Sequence, residues 1–256
     1  EERKVFLTFL YFFLIITAYY VIKPVSRALV LDDLGHRLVP YADLVSAILM
    51  GPIVTCFARA VDRLAKPRLV SLSFLIVTAT MLVFWKLLAS AHAWVSGAFY
   101  VWVNIFSVLV VTLFWLVAND LYRPREAKRL FGFIGSGGIL GGIVGSSIAA
   151  VGAQVIGTPN LLLLSSALLI ACWALVQRLW RYLPDPTLGA GETLAVRQAD
   201  TFLSNPGGFF RLIFKTRYLL LLIGVVGLSK IVSTLIYYQL NPFIEHHFVG
   251  VDAKTT

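Results

Sequence analysis

A charged side chain at the centre of a membrane helix costs roughly 2.5–3.5 kcal/mol on insertion scales unless it meets a cavity or a partner. Cations inside apolar runs are therefore the first residues to weigh. Lys230 is the clearest, well inside the run Tyr218–Tyr238. Lys23 and Arg27 follow the first run, Val5–Ile22. Two readings of that pair stand side by side: both snorkel to the outer interface, or the first helix continues through Pro24 and turns both into a central cavity. In the second reading Lys23, Arg27 and Lys230 form a basic cluster suited to phosphate or carboxylate oxygens. Asn104, in the fourth run, reads first as an interhelical hydrogen bond and second as a candidate substrate contact.

A second set of charges lies at run ends. Asp62 and Arg63 follow the second run, Asp120 closes the fourth, and Glu126, Lys128 and Arg129 precede the fifth. Carboxylates and basic groups so placed build a network that closes one face of a helical bundle and breaks when bundles rock, so these six are candidate gating residues. Asp120 is expected to pair with neighbouring arginines or with Lys128. The plain alternative is that the basic residues only set membrane topology. Nothing resembles reaction chemistry: there is no Walker A lysine and no paired acidic metal site, so an enzyme is not expected. Cys56 and Cys172 each stand alone in an apolar run and are expected as buried packing residues, outside any disulfide or zinc site. Glu245-His246-His247 suits pH sensing or metal binding only weakly, since adjacent histidines do not share one metal from a regular helix and HExxH is absent. No metal site and no cofactor are expected.

The elements carrying these residues follow from composition. Hydrophobic residues make up 59% of the chain and charged ones 14%, with mean hydropathy +0.83; lipid is the implied solvent. Seven segments are long and apolar enough to span, or nearly so: Val5–Ile22, Val39–Ala58, Leu69–Leu88, Ala93–Ala118, Leu130–Gln154, Pro159–Gln177 and Tyr218–Tyr238. They are too long and too uniformly apolar for barrel strands, which predicts an all-α membrane protein. Net charge +9 would suggest nucleic acid in a soluble protein. Here the cations cluster between runs on alternate connections, which predicts a multi-pass protein with a cytoplasmic N-terminus and no nucleic-acid partner. Tyr19, Tyr20, Trp94, Tyr122, Trp180, Tyr182 and Tyr218 are expected as interfacial anchors. The Pro/Gly-punctuated stretch after the sixth run reads as a cytoplasmic linker, with Gly208–Arg217 either a short helix at the inner leaflet or the start of the seventh helix. The predicted organisation is a six-helix bundle over 1–180, a linker over 181–215, and over 216–256 the first helix of a second bundle. Tyr19-Tyr20-x-x-Lys23-Pro24 and Tyr237-Tyr238-x-x-Asn241-Pro242 end the first and seventh runs alike, as parallel repeats would. The chain stops at Thr256, where an eighth span is expected, and so reads as part of a longer protein.

Two stretches carry a resemblance. Ala58-Arg-Ala-Val-Asp62-Arg63-Leu-Ala-Lys-Pro-Arg68 resembles the loop signature of the major facilitator superfamily, with alanines at Ala58 and Ala65 in place of its glycines. Phe114–Gly145, with Phe-Trp, Ala-Asn-Asp, Glu126-Ala-Lys128-Arg129 and a Gly-rich helix, resembles the ATP/ADP antiporter family, the nucleotide exchangers of plastids and intracellular bacteria, and their bacterial relatives. Ala18–Leu29 and Asn205-Pro-Gly-Gly agree with it. The resemblance implies a twelve-helix major-facilitator-like fold, a bacterial inner-membrane location and a nucleotide-like cargo. The glycines Gly137, Gly138, Gly141, Gly142 and Gly145 are read as GxxxG packing, because a phosphate loop needs a preceding strand and an exposed helix start. Three functions remain in view. The first is a secondary transporter of an anionic, phosphate-bearing solute working by alternating access. The second is a lipid or amphiphile transporter of the same fold, and the third a non-transporting scaffold or sensor module. Partners are the small anionic solute and membrane lipids; oligomeric state is left open.

Overall fold

The computed structural model describes residues 2–88, 92–122, 124–182 and 217–247. These form seven helices and no strand: α1 (Glu2–Asp33), α2 (Val39–Arg63), α3 (Lys66–Leu88), α4 (Ala93–Leu121), α5 (Pro124–Ile156), α6 (Leu161–Leu179) and α7 (Arg217–His247). Single 3-10 turns lie at His36–Leu38, Thr158–Asn160 and Trp180–Tyr182. The all-α expectation holds. α1 to α6 are each long and apolar enough to cross a membrane; even the 19 residues of α6 reach about 28 Å at 1.5 Å per residue. In α7 the apolar stretch is Leu220–Ile236. Contacts divide the chain into two compact units, one holding α1 to α6 and the other most of α7. Most of the linker expected over 181–215 lies outside the described residues, as does most of Gly208–Arg217.

Local signals punctuate the helices. Gly35 and Gly157 take positive φ (74° and 80°) at the α1–α2 and α5–α6 turns, a conformation that strains any residue with a Cβ. Pro40, Pro67 and Pro124 sit in the first turns of α2, α3 and α5, where the missing N–H has no partner to lose.

α1 takes the second of the two readings, the one in which the helix passes through Pro24. Its apolar run ends at Ile22, and the helix continues through Pro24 to Asp33, as α7 continues past Pro242 to His247. The Tyr-Tyr-x-x-x-Pro stretches are therefore helix interiors, not helix ends. A proline here removes one backbone hydrogen bond and crowds the carbonyl one turn back. Burial sustains α1 across the break: Val21, Ile22 and Val25 are 0% exposed, and Ala28, Leu29, Val30 and Leu31 are buried beyond them. Ser26 donates to the Lys23 carbonyl at 2.9 Å.

α1 is the central helix of the first unit, packed by α4, α5 and α6. The α1–α5 seam has a physical cause in the glycines. A Cβ on Gly137, Gly141 or Gly145 would stand 2.8, 2.5 or 2.7 Å from the carbonyl oxygens of Phe9, Phe13 and Thr17, successive turns of α1. Only hydrogen fits there, so the GxxxG packing reading is correct. α2, beside α4, is the least covered helix of the unit. It carries Cys56, which is exposed and not the buried packing residue expected, because no helix lies over that face of α2 within the unit; Cys172 on α6 is buried. Tyr122 also departs from expectation: it is 5% exposed, packed inward rather than anchored at an interface. Trp94 and Tyr218 are exposed as anchors would be.

Candidate functional site

Lys23 and Arg27 lie one helical turn apart on α1 and so share a face. Lys23 is exposed, and its ammonium lies 5.1 Å from the Tyr20 ring centroid and 5.6 Å from that of Tyr19, within cation–π range. Arg27 is half-buried, with its Nε enclosed. The two tyrosines are placed by different neighbours. Tyr19 meets Phe106 of α4 edge-on at 6.3 Å, while Tyr20 lies over the glycines of α5: a Cβ on Gly145 would come within 2.8 Å of the Tyr20 Cβ. Ser165 of α6 donates to the Ala18 carbonyl at 2.8 Å. Three helices thus hold the α1 turn that presents Lys23, an aromatic-flanked cation able to meet anionic oxygens.

Asn104 donates to Ser46 Oγ of α2 at 3.2 Å, an interhelical bond of the kind first expected of it. It belongs to a polar seam. Tyr100 donates to Asp43 Oδ1 at 2.8 Å, and Ser96 to Asp33 Oδ2. Ser96, Tyr100 and Asn104 recur every turn on one face of α4. Asp43 escaped the sequence reading, although a carboxylate inside the run Val39–Ala58 was signal enough. Lys230 is exposed on α7, in the second unit. The side chains of Glu245, His246 and His247 lie outside the described residues, and those described hold no cluster of metal-ligating type.

The charges at the other end of the bundle sort differently from expectation. Asp120 pairs with Lys66 at 2.5 Å, not with neighbouring arginines or Lys128. The reason is geometric: Lys66 opens α3 beside the end of α4, whereas Arg125, Lys128 and Arg129 are carried away on α5. Gln177 of α6 donates to Ser71 of α3 at 2.5 Å at the same end. Asp62 and Arg63 are exposed at the end of α2, without an ion pair among the described residues. Lys128 is exposed too. Glu126 and Arg129 line a groove of about 400 Å³ between the starts of α1 and α5.

A further clasp was not foreseen. Lys4 donates to the Leu121 carbonyl and lies 4.3 Å from the Tyr122 ring centroid. Tyr122 donates to Thr8 Oγ1 at 2.9 Å, and Thr8 donates to the Lys4 carbonyl at 2.9 Å. Burial pushes the Tyr122 phenol above its ordinary value, outweighing the hydrogen bond to Thr8, so it stays a neutral donor. Nothing in the sequence joins residues this far apart; the clasp exists only because α1 and α4 meet.

A profile of the TLC ATP/ADP transporter family matches residues 75–236, from within α3 to within α7. The chain belongs to that family. With α1 to α6 each able to span, this TLC-family chain is an integral, multi-pass membrane protein. The matched region contains the Phe114–Gly145 stretch on which the resemblance rested, together with Asn104, Asp120, Glu126, Lys128, Arg129 and Lys230; Lys23, Arg27, Asp62 and Arg63 precede it. No curated protein and no solved structure matches the chain.

Proposed function

We propose that the chain is the N-terminal part of a nucleotide transporter that works by alternating access. Residues 1–180 form one bundle, 181–215 the cytoplasmic linker, and 216–256 the opening of a second bundle, in a bacterial inner membrane with the N-terminus inside. The family carries the transport reading. The observation that carries the site is the continuity of α1 through Pro24, which keeps Lys23 and Arg27 on one face of a helix held by α4, α5 and α6. Lys23 and Arg27 supply charge-assisted hydrogen bonds to phosphate oxygens, and Tyr19 and Tyr20 offer flat faces beside them. Lys230 on α7 is a separate candidate cation for the solute, and Asn104 orients α2 against α4. Asp62, Arg63, Glu126, Lys128 and Arg129 contribute to closing the inner face, while Asp120 braces the bundle through Lys66.

The test is uptake of labelled ATP into proteoliposomes holding the full-length protein, with ADP, ATP or phosphate inside. Nucleotide counter-exchange is expected. Lys23→Ala and Arg27→Ala should each lower it by at least about tenfold, the size of one lost charge-assisted hydrogen bond. An absence of exchange with any nucleotide rejects the function. Exchange that survives both substitutions and Lys230→Ala unchanged rejects the site and leaves the function standing.

A further inference from the structure

The groove between the starts of α1 and α5 contains Glu126 and Arg129, proposed above to help close the inner face, but that role does not account for the rest of its lining. Its volume, about 400 Å³, is that of a small-molecule site. Two carboxylates, Glu2 and Glu126, and one guanidinium, Arg129, share its lining with Phe6, Leu130 and Phe133. Phe6 and Phe133 are 58% and 52% exposed, and Phe133 stacks on Phe9 of α1 at 4.9 Å. From Phe133 an exposed apolar row continues along α5 through Leu140, Val144, Val151 and Val155.

We propose that this groove binds the headgroup of an ethanolamine phospholipid, with Arg129 on the phosphate, Glu2 and Glu126 on the ammonium, and an acyl chain along Phe133 and the row beyond it. Charge complementarity selects this occupant. A groove with both signs of charge matches a zwitterion. A purely anionic headgroup would bring its phosphate against two carboxylates, and a nucleotide would bring more negative charge still. The ammonium matters beyond its charge, because it donates hydrogen bonds to carboxylates, whereas a quaternary choline has no N–H to give. Depth agrees as well. α5 has 33 residues and spans about 50 Å, against a hydrocarbon core of about 30 Å. Its first turns, with Glu126 and Arg129, therefore stand at headgroup level, and Phe133 lies nearer the acyl boundary.

This proposal is independent of the cargo. Its test is native mass spectrometry of the full-length protein in a neutral detergent. Lipids of identical acyl chains are added in turn: phosphatidylethanolamine, its mono- and dimethyl derivatives, phosphatidylcholine and phosphatidylglycerol. Occupancy should fall stepwise as methyl groups replace N–H donors, by about tenfold or more across the series. Phosphatidylglycerol should bind less than phosphatidylethanolamine. The double variant Glu2→Gln, Glu126→Gln should flatten the series, and Arg129→Gln should lower all phosphate-bearing lipids together. A flat methylation series in the unsubstituted protein overturns the proposal without any variant. So does a preference for phosphatidylglycerol, an ethanolamine preference that survives removal of both carboxylates, or a groove that takes no lipid because another part of the full chain fills it.

Discussion

Alanine at Gly141 adds a methyl group 2.5 Å from the Phe13 carbonyl oxygen, 3.2 Å from Thr17 Oγ1 and 3.3 Å from the Ile16 Cβ. The nearest obstacle is backbone, so no side-chain rotation relieves it. α1 and α5 must part by close to 1 Å, which also loosens the contacts of neighbouring turns. Overpacking of this kind costs about 1–3 kcal/mol, and alanine returns at most about 1 kcal/mol through its better helix propensity. With the full return the net loss is about 0–2 kcal/mol, which lowers the melting temperature by up to about 8 °C in a bundle of this size. Gly132 is the internal control: it lies on the same helix, and a Cβ there meets nothing within 4 Å. Gly132→Ala should leave stability unchanged or raise it. The assay is thermal unfolding of the purified variants in detergent, followed by tryptophan fluorescence and by size-exclusion recovery. If Gly141→Ala melts at or above Gly132→Ala, the glycine seam is not what sets the approach of α1 to α5.

Lys66→Met and Asp120→Asn should show a coupling of about 0.5–1 kcal/mol in a double-mutant cycle, modest because the lysine side chain is 45% exposed. That coupling should shrink between 0.05 and 0.5 M salt, roughly tracking the Debye length; a cycle with none would make the pair a bystander. Tyr122→Phe removes the donor to Thr8 and should cost about 1 kcal/mol in the same melting assay, whereas Tyr182→Phe, at an exposed position, should cost nothing measurable. Asn104→Ala should weaken α2 against α4 and quicken amide exchange in α2 more than in α1, read by hydrogen–deuterium exchange; equal change in both would place the Asn104–Ser46 bond elsewhere in the energetics.

Much of the architecture was legible along the chain. Runs of apolar residues longer than a bilayer is thick can only be helices, and the glycine spacing on α5 announced close packing. The candidate site was legible in part. Lys23 and Arg27 stood out because cations in apolar surroundings are rare, but whether α1 passed through Pro24 depended on the burial of Val25 to Leu31, which local sequence does not encode. Asn104 offered two roles, and only Ser46 across the helix pair chose between them. The clasp of Lys4, Thr8 and Tyr122 joins residues more than a hundred positions apart, beyond any local rule.

The sequence by itself determined the solvent, the secondary structure and the family resemblance, because each is a property of composition or of contiguous residues. The tertiary structure decided which helix is central, where α1 ends, that Cys56 is exposed while Cys172 is covered, and that Asp120 answers to Lys66 rather than to the nearer cations in sequence. The first and third share a physical reason. Lipid is as apolar as a helical core, so the outward and inward faces of these helices are built from the same residues. What separates the faces is shape, chiefly the glycine-to-carbonyl contact that brings α5 against α1.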